Sequence, residues 1–500
     1  MEHLISSSYE HKLAYIYHKI DQRGILTDRH KLAKLRTHCN DSITSLCNSI
    51  SSAIGTTIYL GAENKPSSGT SVNINYSPNL QALLKSLGFT LPKIRVKNKD
   101  THEFEHKDSA NKLVLQKVLA DPNLWPASMT LPAKQIIADL LRIHTIAKIK
   151  STYANARLYN DTYFSTGNVA GTVTGRRSSR RHTFSLGGNN QNFPKYSSEA
   201  NAFREALIAR PGRIFLFVDQ VKAEEWPVSA LAQNLAALEE LKQGVNRHLN
   251  LASYLFSIPT QQLKEAIDRK DLDAVLCYFL AKKTRHANNY GMRPLRMSEQ
   301  LAAEGHSISK DVCATMLEKV NNADPSVQQV FHEYVRQEAT STKMLRTPLG
   351  RERQVLGLRQ GDKNYDLMNE LFSYIPQSTV GDNTGLAIVF LDACNDYILQ
   401  DGHDSLCQEV PEDEALLAKC FKDTKKAFNR IIVFHNGIDI NIPIEAELGY
   451  DWKHTTKLEE LTEDCLISKY RELKLQRKEQ NQDSGIESVD IATSTEQVVA

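Results

Sequence analysis

The sequence predicts a mixed α/β (α+β) fold, with one sheet interrupted by a long helical insertion. Three observations predict it. An apolar run from Ile214 to Val218 ends at Asp219 and reads as a buried strand over Arg213–Val218. A second β region lies at 431–444, where Ile431 to His435 leads into Asn436-Gly437 and Ile438, Ile440, Ile442 and Ile444 then alternate. Asn-Gly between two such runs is the strongest short hairpin signal. Between the two regions, residues 222–345 carry mainly helical patterns.

The N-terminal part, residues 8–54, is helical in pattern, with Leu13, Ile16 and Ile20 on one face. A Gly, Ser and Asn-rich stretch at 60–78 reads as a loop. Helices are expected at Asn79–Leu87, at Lys112–Leu119 and from Pro132 to Tyr153, with Pro132 suited to a first helical turn. Residues 165–195 read as loops and short strands. Beyond Trp452, residues 455–480 form a charged helix pattern with a thin stripe of Leu458, Leu461, Cys465 and Leu473. Residues 481–500 are polar, lack aromatics and are expected to be disordered.

A chain of 500 residues exceeds what one hydrophobic core supports, so several packed subdomains are expected. A 41% hydrophobic and 24% charged composition excludes a fibre or a wholly disordered chain. Net charge is only +2, so any nucleic-acid binding must come from local patches. The eight cysteines form no C-x-x-C pair and read as reduced thiols. There is no basic start followed by an apolar run, and no stretch long enough to span a bilayer. A soluble intracellular protein without a membrane contact is expected, in the cytoplasm of a host cell.

Four constellations carry chemistry. In Asp219-Gln-Val-Lys-Ala-Glu224, a buried strand delivers a carboxylate where a sheet meets solvent. A two-metal phosphoryl-transfer site needs such carboxylates in pairs, although an Asp after a strand is more often a turn residue. Tyr278, Lys282, His286 and Tyr290 are spaced four apart and line one helix face ahead of Gly291. An ammonium and rings in one row suit a nucleotide; a solvated basic face is the plainer reading. Thr172-Val-Thr-Gly-Arg176-Arg-Ser-Ser-Arg180-Arg181-His182 interleaves arginines with hydroxyl residues, groups that bind phosphate backbones. The fourth is the hairpin His435-Asn436-Gly437.

Taken in order, these segments resemble the family-A DNA polymerases. Thr-Gly-Arg176-Arg-Ser-Ser resembles T-G-R-x-S-S, and Asn190-Gln191-Asn192-Phe193-Pro194 resembles L-Q-N-I-P. Phe217-Val-Asp219 resembles motif A, with Glu224 at its glutamate, and His248 falls where a histidine precedes the fingers. Lys282 to Gly291 resembles motif B in a phage-like form. Thr347-Pro-Leu-Gly-Arg351 resembles the T-x-x-G-R turn, and Gln377 with Asp382 resembles the Q-G-T-A-A-D segment. Phe434 through Pro443 is aligned on motif C, and Gly449-Tyr-Asp-Trp452 on the final G-x-x-W.

The resemblance covers residues 8–452 and implies a right-hand fold with an antiparallel palm sheet, helical fingers and a helical thumb. It implies an N-terminal helical region with the thumb over 1–165, palm at 166–235, fingers at 236–345, palm again at 346–452, and a charged helix and tail at 453–500. It further implies Mg²⁺ and deoxynucleoside triphosphates, with primer–template DNA as partner and proofreading left to another chain. The implied catalytic group is Asp219, Asn436, Lys282 and Tyr290, with Asp219 on metal and position 220, Gln220, without an assigned role. Glu224, His248, Lys282, His286, Tyr290 and Tyr278 are implied for the nucleotide. Arg176, Arg180, Arg181, Gln191, Arg351, Gln377 and His435 are implied for DNA.

The chain departs from the family pattern at several points. Motif C normally reads His-Asp-Glu, but on this alignment reads His435-Asn436-Gly437, replacing a metal carboxylate with an amide. Tyr278 stands for the arginine that opens motif B, Trp226 for an arginine two residues after the motif A glutamate, and Lys222 for a glutamine. The expectation is therefore a polymerase-like module that binds primer–template in DNA replication, with nucleotidyl transfer weakened or lost. The alternatives are a fully active DNA-directed DNA polymerase and a non-catalytic replisome subunit contacting a second polymerase or replisome chain through 453–500.

Overall fold

The computed structural model describes residues 5–483, apart from 6, 64, 66–69, 98–103, 128–129, 170, 196, 305, 307, 357, 359–360 and 362–363. Helix α1 (Ser7–Arg23) buries Tyr9, Leu13, Ile16, Tyr17 and Ile20, one face at three- and four-residue spacing. Helix α2 (Arg29–Ile54) starts at Asp28, whose carboxylate accepts from the His30 and Lys31 amides, and stops at Gly55 in the left-handed region. It packs on α3 (Thr130–Ile149), joining Leu32, Leu35 and Cys39 with Ile136, Ile137 and Leu140 in one core.

The central sheet has five strands: β1 (Arg213–Gln220), β2 (Ile398–Asp401), β3 (Ser405–Pro411), β4 (Ile444–Gly449) and β5 (Thr455–Lys457). Their order is β2-β3-β1-β4-β5, antiparallel throughout. Both faces of β1 are covered. Ile214, Leu216 and Val218 share a core with Ala387, Ile388 and Leu391 of a long helix and with Leu417 and Phe421 of another. On the other face Phe215 meets Trp452 at a centroid distance of 5.2 Å. This two-sided burial explains the unbroken apolar run. The insertion between β1 and β2 is mainly helical, with a small antiparallel pair of Met344–Arg346 and Glu352–Gln354, and includes α4 (Leu272–Asn289) and the 30-residue α5 (Tyr365–Cys394). Then α6 (Glu414–Phe428) and α7 (Glu463–Asp483) follow.

Three expectations are corrected. The strand at 213–218 runs on to Gln220. The β region at 431–444 is divided: Ile432–Val433 pairs with Asp439–Ile440 as a hairpin of its own, and the central sheet takes Ile444–Gly449 instead. The charged C-terminal segment opens as strand β5, and its helix begins only at Glu463. Leu466 and Tyr470 of α7 are buried, and the Tyr470 hydroxyl donates to the Glu412 carbonyl at 3.0 Å, so the helix's apolar side packs on the chain itself. Residues 481–483 close that helix; the rest of the expected disordered tail, 484–500, lies outside the described residues.

Candidate active site

The register of the sheet sets the site. Asp219 on β1 stands opposite Ser405 of β3 on one side and Glu445 of β4 on the other. The β2–β3 turn is tight: the Gly402 amide donates to the Ser405 carbonyl at 2.8 Å, leaving His403 and Asp404 at its tip. His403 has φ +81, a left-handed conformation that non-glycine residues seldom adopt. Gln220 fastens this turn to β1, its amide donating to the Asp404 carbonyl at 3.1 Å and its side chain donating to Thr384 Oγ1 at 2.8 Å.

Asp219 and Asp404 therefore face one open cavity of ≈ 390 Å³, rimmed also by Gln191, Lys195 and Glu445. Asp219 is exposed to that cavity. The surrounding protein first, then the charges of Asp404 and Glu445, push its pKa up to about 7, partly offset by Lys195. Burial likewise raises Asp404. Two carboxylates that repel each other gain from a cation between them. Mg²⁺ typically takes one or two carboxylates and completes its shell with water and substrate phosphates, which fits this donor set. Among the described residues no cluster of three or more His, Cys, Asp or Glu is gathered for a metal.

Asn436 is not part of this pair. It sits at the tip of the separate hairpin, where its Nδ2 donates to the Ala230 carbonyl at 2.9 Å and its Oδ1 accepts from the Ile438 amide at 3.1 Å. Gly437 beside it has φ +79, as the turn requires. The neighbouring His435, expected on DNA, stacks on Tyr334 at 3.8 Å and 7° and lines a different cavity. The residue beside Asp219 is Asp404, which sequence reasoning missed. The available signal was His403-Asp404 itself, which matches the first two letters of His-Asp-Glu with Ser405 third.

Of the residues expected on the nucleotide, Tyr290 and His286 gather on Glu224. Its carboxylate accepts from the Tyr290 hydroxyl and from Arg176, and His286 Nε2 lies 3.7 Å away. Burial, then the Glu224 charge, holds the Tyr290 hydroxyl well above its ordinary pKa, so it is a donor throughout the physiological range. Gln377 on α5 lies near enough to lower the Tyr290 pKa slightly against these effects. Gly291 has φ +66, and a Cβ there would meet Phe372 at 3.0 Å. Charges on Arg176 and Glu224 act on Asp404, so this cluster and the carboxylate pair are one electrostatic unit. Lys282 lies exposed on the same helix α4.

Two further residues expected on the nucleotide, His248 and Tyr278, meet each other beside Glu225. His248 Nε2 pairs with Glu225, not Glu224, at 3.0 Å. The Tyr278 ring meets the His248 ring edge-on at 6.2 Å. Of the arginines, Arg180 and Arg181 are exposed on the strand Ser178–Arg181. Arg351, expected on DNA, is instead held inside the protein: Nε and Nη2 donate to both Asp382 oxygens at 2.8 and 2.7 Å, and Nη2 also reaches Glu10 at 2.6 Å. A bidentate guanidinium–carboxylate pair of this kind ties elements together.

The sequence profile of DNA polymerase family A matches residues 29–454. DNA polymerase I of Chloroflexus aurantiacus is 25% identical over 340 residues, which is 65% of this chain and 33% of that protein. The thermostable DNA polymerase I of Thermus filiformis is 25% identical over 334 residues, 64% of this chain and 36% of that one. The chain thus matches about a third of the length of these relatives. In three dimensions it resembles the POL domain of Pol1 from M. smegmatis, solved in complex with DNA primer-template and dNTP. The TM-score is 0.69 at 18% identity, over 89% of this chain and 70% of that one. Among the described residues no helix is long and apolar enough to cross a membrane.

Proposed function

The chain belongs to DNA polymerase family A, and on that premise we propose that it is a DNA-directed DNA polymerase domain that extends a primer along a template. The observation that carries this reading is the placement of Asp219, near the end of β1, and Asp404, in the turn just ahead of its partner Ser405 on β3, on one cavity. The weakened-transfer reading rested on Asn436 as a metal position, and Asn436 faces Ala230 instead. In this reading the sheet β1–β5 is the palm, the helices of 236–345 are the fingers, and α2 with α3 belongs to the thumb.

Asp219 and Asp404 would hold Mg²⁺. Bound there, the ion supplies charge stabilisation to the transferring phosphoryl group and favours ionisation of the attacking hydroxyl. The chain's own residues do the rest. Lys282 offers an ammonium for phosphate and His286 a ring beside it. Tyr290 is pinned to Glu224, and Gly291 beside it supplies the left-handed turn and the close packing on Phe372 that hold the tyrosine in place. Arg180 and Arg181 face solvent and would meet backbone phosphate. Tyr278 cannot neutralise a triphosphate as a guanidinium does, so triphosphate affinity is reduced while the chemistry remains.

The test is primer extension by the purified chain with Mg²⁺ and all four deoxynucleoside triphosphates. Extension by wild type that disappears in Asp219→Ala is expected. Duplex binding without extension by wild type would instead support the non-catalytic alternative.

A further inference from the structure

We propose that Asp401, Arg177 and Tyr17 form a positioning device for Asp404, fixing the turn that carries it from beneath. The inference rests on the reading that Asp404 holds metal. The turn between β2 and β3 has two residues at its tip, one of them His403 at φ +81. Such a conformation persists only where its surroundings over-determine it. Here the Asp401 Oδ1 accepts from the His403 amide at 2.7 Å. The other oxygen, Oδ2, accepts from Arg177 Nε and from the Tyr17 hydroxyl.

Arg177 in turn donates from Nε to the Tyr17 oxygen at 2.9 Å and from Nη1 to the Gly381 carbonyl of α5 at 2.7 Å. The Arg177 and Asp401 side chains are each 1% exposed. One buried point therefore joins α1, the arginine-rich segment, α5 and β2. The guanidinium lies so close to α5 that a Cβ on Gly385 would come within 2.8 Å of its Nη1. A buried ion pair adds little net stability over apolar residues of similar volume. What apolar residues cannot supply is an acceptor for the His403 amide, and that bond sets the direction in which Asp404 leaves the strand.

The experiment compares the full chain with Asp401→Asn, with the apolar pair Arg177→Met plus Asp401→Leu, and with Asp404→Ala. Three quantities are read: thermal midpoint, hydrogen exchange of the 398–411 segment, and Mn²⁺ affinity by electron paramagnetic resonance with primer–template present. Asp401→Asn should lower the midpoint, because Arg177 loses its counter-charge. The apolar pair should recover the midpoint, yet exchange in the turn should stay faster than wild type and Mn²⁺ affinity lower by roughly tenfold or more. Recovery of slow exchange and wild-type Mn²⁺ affinity along with the midpoint would reduce the network to packing and overturn the proposal. Asp404→Ala should lose Mn²⁺ while keeping slow exchange. Equal Mn²⁺ binding by wild type and Asp404→Ala would sink the metal reading, and turn exchange in the apolar pair still decides the network by itself.

Discussion

The Asp404 charge raises the cost of ionising Asp219, and Asp404 is held by its backbone to Gln220 and its turn by Asp401. Removing a positioned charge at such a centre commonly costs about 10² to 10³ in rate, so Asp404→Ala should lower single-turnover incorporation at least that far; a loss below tenfold would remove Asp404 from the chemistry. Tyr278→Arg should lower the triphosphate KM, by about tenfold if a bidentate phosphate contact worth about 1.4 kcal/mol forms. An unchanged KM would mean that position 278 does not face the triphosphate. Asp21 supplies a pH test away from the site. Both its oxygens accept from the Gly167 amide, at 3.0 and 3.1 Å, yet burial pushes its pKa up to about 7. A folded pKa above the ordinary 3.8 means the associated stability is full below that value and lost as pH rises through 7. Asp21→Asn should therefore raise the thermal midpoint at pH 8 and leave it near wild type at pH 4; an equal effect at both would exclude Asp21 titration. Among single residues, an apolar run points at Asp219 and four-residue helical spacing at Tyr290, while Glu224 was singled out through the motif A resemblance. Asp404 was not, because it follows two buried polar residues, Gln400 and Asp401, that break any strand pattern.

At the scale of elements, the Asn-Gly hairpin was read correctly as a hairpin and wrongly as part of the catalytic sheet. Turn chemistry is local, whereas sheet membership depends on which strand edge is open. β3 lies between β2 and β1 and is buried on both faces with Gln408 and Glu409 inside, so it shows neither alternation nor an apolar run. The hairpin is structural in this account. Gly437→Ala, forced into φ +79, should destabilise the fold by about 1–2 kcal/mol with extension preserved at permissive temperature. Loss of extension at full folding would return the hairpin to the active site. The row of Lys282 and His286 on α4, with Tyr290 capping its end, was legible because four-residue spacing fixes a helix face whatever the tertiary context.

At the scale of the molecule, a sheet interrupted by a helical insertion was expected and is present, but only β1 was placed: the 431–444 region expected to complete the sheet is a separate hairpin, and β2 and β3 were not foreseen. The net charge of +2 makes duplex binding a matter of local arginines. Arg180→Ala and Arg181→Ala should each weaken primer–template binding regardless of sequence and reduce the salt slope by about 1; unchanged slopes would take the Ser178–Arg181 strand off the DNA. Arg351→Ala should act on stability instead, since its partners are Asp382 and Glu10.

In the proposed polymerase site the second carboxylate is Asp404 and not the residue at 436. Single-turnover incorporation of one nucleotide by Asp404→Asn and Asn436→Asp, measured beside wild type with Mg²⁺ on one primer–template, tests it most directly. Asp404→Asn should lose incorporation and Asn436→Asp should match wild type. Incorporation that survives Asp404→Asn and rises sharply in Asn436→Asp would contradict it.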